Sequence, residues 1–181
     1  MDKIKDIILL GATGSIGKQT IEICLANDIN INAIAFNSNY EEAIKIIEQV
    51  KPKFVCTSSE KSFAIIKDKY PNLKIKLGDE GFKEIVNYSS NVVNAITGIA
   101  GLMPTVYAIN KCKNLFLANK ETLVVAGDLI KKDIKKNKVS LYPIDSEHDA
   151  IYRLIYRDNN LNNENNKSNI SKLIITASGG K

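Results

Sequence analysis

Short apolar segments and segments with helical periodicity alternate along the chain, and this order constrains its fold more than any other feature. The predicted strands are Asp6–Leu10, Ile31–Phe36, Phe54–Cys56, Ile75–Leu77, Val92–Ala95, Asn114–Leu117 and Val139–Tyr142. The predicted helices between them are Ile16–Ala26, Tyr40–Val50, Glu60–Tyr70, Phe82–Tyr88, Leu102–Lys111 and Glu121–Lys136. A repeated strand–helix order is typical of a parallel sheet with helices on both faces. We therefore predict an α/β fold, a Rossmann-like doubly wound parallel sheet.

The first strand runs into the sequence GATGSIG, which places glycines at positions 11, 14 and 17. Glycines let such a turn bend sharply and approach a pyrophosphate, while the following helix offers N–H donors and the positive end of its dipole. Its place in the first strand–turn–helix unit favours dinucleotide binding over a tight turn without a ligand. The helical period predicts that Ile16, Thr20, Ile23 and Cys24 share one face of that helix.

The end of the second strand bears on the choice between NAD and NADP. An NAD site usually has an acidic residue there, which holds the ribose 2′-hydroxyl. This chain instead has Asn37, Ser38 and Asn39, so the sequence favours a 2′-phosphate and hence NADP. No Arg or Lys is adjacent either, and Glu41 and Glu42 in the next helical turn are expected to be solvated.

The segment LANKETLV, residues 117 to 124, joins the sixth strand to the next helix. Asn119 is a good N-cap, and Glu121 suits a first helical turn. Lys120 does not suit it, because a cation there opposes the helix dipole, at a cost of only a few tenths of a kcal/mol. Lys120 is therefore either a tolerated surface lysine or a ligand for an anionic or carbonyl oxygen at the carboxyl end of the sheet.

The segment PIDSEHDAI contains the single histidine of the chain among three carboxylates. As a helix start, Ser146 would accept a backbone N–H, and the dipole would favour Glu147 and Asp149. As a metal site, Asp145 and Glu147 would offer two hard oxygens that suit Mg²⁺ or Mn²⁺. The residues alone leave both interpretations open, and His148 lacks the second His or paired Cys that a zinc site needs.

The sequence changes in character after the seventh strand, so we predict a boundary near 143–146. Residues 1–143 would form the NADPH-binding domain, and residues 144–181 the beginning of a second, catalytic α/β domain. We predict a helix over Glu147–Tyr156, an Asn-rich loop or insertion over Arg157–Asn169, and a strand with a Gly-Gly turn from Lys172. The turn TASGG could hold a phosphate or be a plain turn. We expect the chain to be the N-terminal piece of a longer protein.

Composition argues against several other classes of protein. The net charge is +5, but the densest basic run, Ile130–Val139, lacks interleaved aromatic or arginine residues, so no nucleic-acid partner is expected. No apolar run is long enough for a membrane helix, and the N-terminus does not resemble a signal peptide. We expect a cytoplasmic protein, or one of an organelle stroma if a transit peptide was removed. Cys24, Cys56 and Cys112 are interpreted as reduced core residues.

Four segments in this order, GATGSIG, LANKE, PIDSEHDAI and TASGG, resemble the 1-deoxy-D-xylulose 5-phosphate reductoisomerase family. The resemblance covers the whole chain but only the N-terminal part of the family's length. It implies an NADPH-dependent and metal-dependent enzyme of non-mevalonate isoprenoid biosynthesis, which makes 2-C-methyl-D-erythritol 4-phosphate. It also implies a homodimer, and a third metal carboxylate further along the family's sequence.

The resemblance implies specific roles for individual residues. The residues that would line NADPH are Gly11, Thr13, Gly14, Ser15, Ile16, Asn37, Ser38, Asn39, Asn119 and Glu121. Asp145 and Glu147 would bind the divalent metal ion, Mg²⁺ or Mn²⁺. Lys120 and Ser146 would contact the phosphorylated sugar substrate, and Ser178 would bind its phosphate. The family often has a Gly-Lys pair where this chain has Asn37 and Ser38.

Two other functions are weighed against the reductoisomerase. Another NADP-dependent Rossmann dehydrogenase would not require a metal ion. A non-catalytic nucleotide-binding fragment would have no turnover at all. If the resemblance holds, we expect this chain to bind NADPH but to be inactive alone, because its metal site is incomplete.

Overall fold

The structure, a computed structural model, describes residues 3–158, 171–172 and 174. It divides into two compact units, Met1–Asp145 and Ser146–Lys181. The predicted domain boundary, near 143–146, stays a prediction. The assignment of the second unit as the beginning of a catalytic domain stays a prediction.

In its described residues, the first unit contains seven strands and six helices that alternate along the chain. The strands are β1 (Asp6–Leu10), β2 (Asn30–Phe36), β3 (Phe54–Thr57), β4 (Lys74–Leu77), β5 (Asn91–Asn94), β6 (Asn114–Leu117) and β7 (Ser140–Pro143). The helices are α1 (Ser15–Ala26), α2 (Tyr40–Val50), α3 (Glu60–Lys69), α4 (Gly78–Ile85), α5 (Leu102–Ile109) and α6 (Lys120–Asn137). A short 3-10 helix, Gly98–Gly101, precedes α5.

All seven strands are parallel and form one sheet in the order β4-β3-β2-β1-β5-β6-β7. The chain therefore builds the sheet outward from β1 to β4 and then crosses back to place β5 on the other side of β1. At the carboxyl end of β1, Leu10 pairs with Ala35 of β2 and with Asn94 of β5. This topology confirms the predicted doubly wound α/β fold.

Two hydrophobic cores lie on opposite faces of the sheet, as the alternation of side chains along each strand requires. On β1, Ile7 and Leu9 belong to the core that α1, α2 and α3 cover. Ile8 and Leu10 belong to the other core, beneath α4, α5 and α6. Because both faces are covered, the central strands are almost continuously apolar.

The predicted inner face of α1 was partly wrong. Cys24 is buried as predicted, but Ile23 is 61% exposed, and Ile21 occupies the core position instead. Ile16 and Thr20 are half-buried. The inner face of α1 therefore consists of Gly17, Ile21 and Cys24. Their spacing of four and three residues fits a helical period as well as the predicted set of residues does.

Helix α4 was also placed wrongly, since it begins at Gly78 and ends at Ile85, about four residues before the predicted segment Phe82–Tyr88. Gly78 and Gly81 are poor helix formers. The spacing of apolar residues therefore did not predict a helix over the first turn. Asp79 and Glu80 lie in that turn, where the helix dipole favours acidic side chains.

All three cysteines are buried and unpaired, as predicted. Burial raises the pKa of the Cys56 thiol to about 12 and that of Cys112 to about 11, so both stay protonated at neutral pH. The lysines of the basic run on α6 are exposed, which confirms the solvated face expected there. Among the described residues, no helix is long and apolar enough to cross a membrane.

In the second unit the structure describes one helix, α7 (Ser146–Asp158). It begins at Ser146, and Glu147 and Asp149 lie in its first turn, where the helix dipole favours acidic side chains. Arg153 Nε donates to Asp149 Oδ2 at 2.7 Å, an i,i+4 pair on the helix surface. The predicted Asn-rich insertion and the final strand with its TASGG turn lie largely or wholly outside the described residues.

The turn between β1 and α1 is packed closely against its neighbours. Gly11 has a φ of +87°, and a Cβ atom there would lie 2.7 Å from the carbonyl carbon and oxygen of Ala95. A Cβ atom on Gly17 would overlap the carbonyl oxygen of Gly11 and lie 2.6 Å from that of Ala12. Both positions therefore accept only glycine without a backbone shift.

We expect Gly17→Ala to lower the free energy of unfolding by about 1–3 kcal/mol, because the added methyl group meets backbone atoms that cannot rotate away. Urea denaturation of the 181-residue chain, followed by circular dichroism, would measure this. Gly127→Ala is the control, since a Cβ atom there has no neighbour within 4 Å and we expect no loss. Equal stability of the two variants would show that the β1–α1 turn is looser than described.

Candidate functional site

A cleft of about 370 Å³ opens at the carboxyl ends of the strands, beside the glycine turn. Its walls come from the segments that follow β1, β2, β3 and β5, together with one side chain of α4. The lining residues are Gly11, Thr13, Gly14, Phe36, Asn37, Ser58, Phe82, Ala95, Ile96, Thr97 and Ala100. Doubly wound sheets bind ligands at this edge, where neighbouring connections leave toward opposite faces.

A wider hollow of about 680 Å³ lies at the opposite edge of the sheet, at the amino ends of β1, β5 and β6. It is lined by polar and lysine side chains, among them Lys5, Asn91 and Lys113. The amino ends of parallel strands lack the diverging connections that form a ligand crevice in such folds. We therefore place the candidate site at the carboxyl edge.

The glycine turn is held in place by backbone hydrogen bonds. The N–H groups of Gly11 and Ala12 both donate to the Ala35 carbonyl, at 2.8 and 2.9 Å. Gly14 N–H donates to the Gly11 carbonyl at 3.1 Å. The turn is thus tied to β2 on one side and packed against Ala95 on the other, so its shape does not depend on a ligand.

The first turn of α1 differs from those of α2, α3 and α6. Those three helices each receive a capping hydrogen bond from a side chain, supplied by Asn39, Ser59 and Asn119. Helix α1 has Gly14 at this position, with no side-chain cap, and its first turn contains no acidic residue. Its first N–H groups and the positive end of its dipole are therefore left for an anion.

The predicted cofactor residues at this turn meet the cleft to different extents. Thr13 and Gly14 line it, whereas Ser15 and Ile16 are the first two residues of α1 beside it. A pyrophosphate fits this arrangement, because backbone N–H groups and not side chains would hold it.

The end of β2 is neutral, as the sequence predicted. Asn37 lines the cleft, while Ser38 and Asn39 follow it on the exposed path into α2. Asn39 Oδ1 accepts from Glu42 N–H at 3.1 Å, so its side chain caps α2. Within the second helix, Glu42 is paired with Lys18 of α1 at 2.9 Å, so it is less solvated than expected.

Asn119 has a structural role that the sequence indicated only in part. It is 2% exposed, and its Oδ1 accepts from Thr122 N–H at 2.7 Å, which confirms the predicted N-cap. Its Nδ2 also donates to the carbonyls of Ile96 and Gly98. The side chain therefore fastens the β5 turn, which forms one wall of the cleft, to the start of α6.

Sequence reasoning missed the segment after β5 altogether. Ala95, Ile96, Thr97 and Ala100 all line the cleft, and Gly98 has a φ of +65° in the turn between them. The sequence ITGIAG contains two glycines after the fifth strand, but it points to the site only once the strand order is known, because that order places the turn after β5 next to GATGSIG. Ser58 after β3 and Phe82 of α4 were missed for the same reason.

The predicted substrate and metal residues are spread over both units. Lys120 and Glu121 are exposed in the first turn of α6, at the carboxyl end of β6. Asp145 ends the first unit, and Ser146 and Glu147 begin the second. Ser178 lies outside the described residues.

The donor chemistry of Asp145 and Glu147 suits a hard divalent cation, but the described residues contain no group of three or more His, Cys, Asp or Glu side chains that could hold one. Two carboxylates would therefore need further ligands from substrate, water or other residues.

These features define the class of the protein as a Rossmann-like, doubly wound α/β protein with a candidate site at the switch between β1 and β5. The 1-deoxy-D-xylulose 5-phosphate reductoisomerase sequence model matches residues 7–127, and that of the C-terminal domain matches residues 141–181. The chain belongs to the 1-deoxy-D-xylulose 5-phosphate reductoisomerase family.

Curated and solved relatives agree with this membership. The enzyme of Listeria monocytogenes serotype 4b is 43% identical over 98% of this chain, which spans 46% of that protein. A DOX-P reductoisomerase solved with NADPH, fosmidomycin and magnesium is 39% identical with a TM-score of 0.77, over 83% of this chain and 38% of its own. The Zymomonas mobilis enzyme solved with NADPH is 29% identical with a TM-score of 0.78, and the match covers 83% of this chain and 41% of that enzyme's chain. The chain thus spans about half the length of its curated relatives.

We expect Asn119→Ala to lower the free energy of unfolding by about 2–4 kcal/mol, since it removes the α6 cap and leaves the Ile96 and Gly98 carbonyls without this donor. Asn39→Ala is the matched control, because Asn39 caps α2 from an exposed position with one hydrogen bond, and about 1 kcal/mol is expected. Urea denaturation of both variants measures the difference. If Asn119→Ala lowered the free energy of unfolding no more than Asn39→Ala, this would contradict the role of Asn119 in connecting the turn after β5 to the start of α6.

Proposed function

We propose that this chain is the NADPH-binding part and the beginning of the catalytic part of an enzyme that converts 1-deoxy-D-xylulose 5-phosphate to 2-C-methyl-D-erythritol 4-phosphate. The observation that carries the proposal is the glycine turn with its uncapped α1 first turn, at the edge of a cleft, in a chain of this family. A solved relative that is 39% identical to this chain is in complex with NADPH, fosmidomycin and magnesium, and the Zymomonas mobilis enzyme, which is 29% identical, is in complex with NADPH.

In this proposal the chain's own groups hold the cofactor. The first N–H groups of α1 bind the pyrophosphate beside Thr13 and Gly14, and the neutral end of β2 receives the adenosine ribose at Asn37. The walls formed by Ile96 and Phe82 exclude water from the apolar parts of the cofactor. NADPH, when bound, supplies the hydride that reduces the rearranged carbonyl.

The substrate would be bound by charged and hydroxyl groups on the later part of the chain. Lys120 is a cation at the carboxyl edge of the sheet, where it can bind a substrate oxygen, and the Ser146 and Ser178 hydroxyls can donate to substrate and phosphate oxygens. Asp145 and Glu147 would hold the divalent ion as two of its oxygen ligands. A bound divalent ion supplies Lewis-acid polarisation of the substrate carbonyl.

We propose further that the 181-residue chain binds NADPH but does not turn over by itself. Asp145 and Glu147 are only two carboxylates, and the described residues contain no group of three or more His, Cys, Asp or Glu side chains that could hold a metal ion. We therefore expect this chain to bind the cofactor without catalysing the reaction.

The first test is a titration of the chain with NADPH and NADH by calorimetry or nicotinamide fluorescence, with Mg²⁺ present and absent. Preferred binding of NADPH that does not depend on Mg²⁺ would support the proposal. Binding of neither nucleotide would favour a non-catalytic module. An assay with 1-deoxy-D-xylulose 5-phosphate, NADPH and Mg²⁺ should show no NADPH oxidation, and measurable turnover would contradict the proposed incompleteness.

A substitution at the α1 N-cap tests the pyrophosphate site without disturbing the fold. Gly14 has extended backbone angles, φ −79° and ψ 172°, and a Cβ atom there meets only the Gly11 carbonyl, at 3.4 Å. Asp is a good N-cap at such a position, so we expect Gly14→Asp to leave stability unchanged or higher by a few tenths of a kcal/mol. Its carboxylate would occupy and repel the pyrophosphate position, and we expect NADPH binding to weaken at least tenfold.

Gly14→Asn is the matched control, since it has the same shape and capping ability without the charge. We expect its loss of affinity to be clearly smaller than that of Gly14→Asp, as measured by the same titration. Unchanged NADPH affinity of the Asp variant would place the pyrophosphate elsewhere.

A further inference from the structure

A cofactor with a ribose 2′-phosphate brings a group that carries between one and two negative charges at neutral pH. The path from β2 into α2 offers it no cation of its own, because Asn37, Ser38 and Asn39 are all neutral. Lys18 comes near from α1, but it is paired with Glu42 at 2.9 Å. A selective site for this phosphate therefore needs a positive charge from another element.

The segment after β3 is fastened to the end of β2 by two buried hydroxyl groups. Thr57 Oγ1 donates to the Asn37 carbonyl at 2.6 Å, and Ser62 Oγ donates to the Ser38 carbonyl at 3.2 Å. Thr57 and Ser62 are 0% and 1% exposed, so both bonds are shielded from water. The first turn of α3 is thus held directly beside the β2–α2 connection.

Lys61 lies in that first turn of α3, next to Ser62. Its Nζ lies 5.3 Å from the centroid of the Tyr40 ring, and Tyr40 is the first residue of α2. Within the described part of the chain, Lys61 forms no ion pair with a carboxylate. Its ammonium group therefore stands over the start of α2 with its charge uncompensated by a direct partner.

We propose that Lys61 is the residue that selects NADPH over NADH, by binding the ribose 2′-phosphate from the β3–α3 side of the cleft. This inference rests on the proposed function. The ammonium group has three donors on a flexible stem, so it can leave the Tyr40 ring and turn toward a phosphate in the neighbouring connection. Ser58, which lines the same cleft after β3, can add a hydroxyl donor.

Nearby carboxylates limit how much Lys61 can raise the affinity for NADPH. Glu42 is compensated, because Lys18 and Lys45 lie 2.9 and 3.4 Å from its oxygens and Lys18 lowers its pKa. Glu41 and Glu60 are exposed, so solvent and salt screen their repulsion. An exposed lysine–phosphate pair of this kind is expected to change affinity by about fivefold, and less at high salt.

The test is a titration of the 181-residue chain and its Lys61→Gln variant with NADPH and NADH at low and high salt. We expect the variant to bind NADPH about fivefold more weakly and NADH within about twofold of the wild type. The difference for NADPH should shrink at high salt. Because Lys61 is exposed, its thermal unfolding should match that of the wild type.

Lys67→Gln is the matched control. Lys67 is exposed on the same helix, with its Nζ 5.4 Å from the Phe63 ring centroid, and the substitution makes the same change in net charge. We expect it to leave the affinity for both nucleotides unchanged. Equal losses in the two variants, or equal weakening of NADPH and NADH by Lys61→Gln, would overturn the assignment of Lys61.

The outcomes separate the two proposals. If the wild-type chain prefers NADPH and Lys61→Gln keeps that preference, the inference about Lys61 is wrong and the proposed function stands. If the wild-type chain binds neither nucleotide, the proposed function itself is overturned, and the role of Lys61 with it.

Discussion

The close contact between Gly11 and the backbone of Ala95 is the constraint on which the site depends. β1 lies at the centre of the sheet, and its neighbours β2 and β5 are reached by connections on opposite faces. A crevice can open at this point only if the turns after β1 and β5 run side by side. Glycine at position 11 permits this close approach of the two turns, because any side chain there would collide with the Ala95 carbonyl. The same residue therefore sets the packing of two turns and the position of the cleft.

Polar side chains with little exposure hold the walls of that cleft where no regular secondary structure does. Asn94 is fully buried, with its Nδ2 donating to the Gly101 carbonyl and Thr105 Oγ1 and its Oδ1 accepting from Ile96 N–H. Thr57 performs a comparable task on the other side, between β3 and the end of β2. Because these groups are satisfied within the protein, the walls are ordered before any ligand arrives, which reduces the entropy lost on binding.

The sequence predicted the fold better than the site, for a physical reason. Strand β1 and helix α2 were placed to the residue, since their apolar periods are clear and their ends carry a glycine turn and an asparagine cap. The start of α4 was missed, because its first turn contains Gly78 and Gly81. The glycine turn was found because its function is local in sequence. The cleft walls at Ile96 and Ser58 were not predicted. These residues lie near the glycine turn only because of the order of the strands in the sheet, and the sequence alone does not determine that order.

Asn119 shows how the structure narrows a role that the sequence left broad. A side-chain amide has two donor hydrogens and an oxygen with two acceptor sites. Both donors already bind carbonyls, at Ile96 and Gly98, and one acceptor site receives Thr122 N–H. One lone pair on Oδ1 remains. If Asn119 contacts the cofactor while these bonds persist, it must accept a hydrogen bond from it, for instance from a ribose hydroxyl or the nicotinamide N–H₂. A contact to a phosphate oxygen would require a donor, and Asn119 could supply one only by releasing the β5 turn that forms the wall of the cleft.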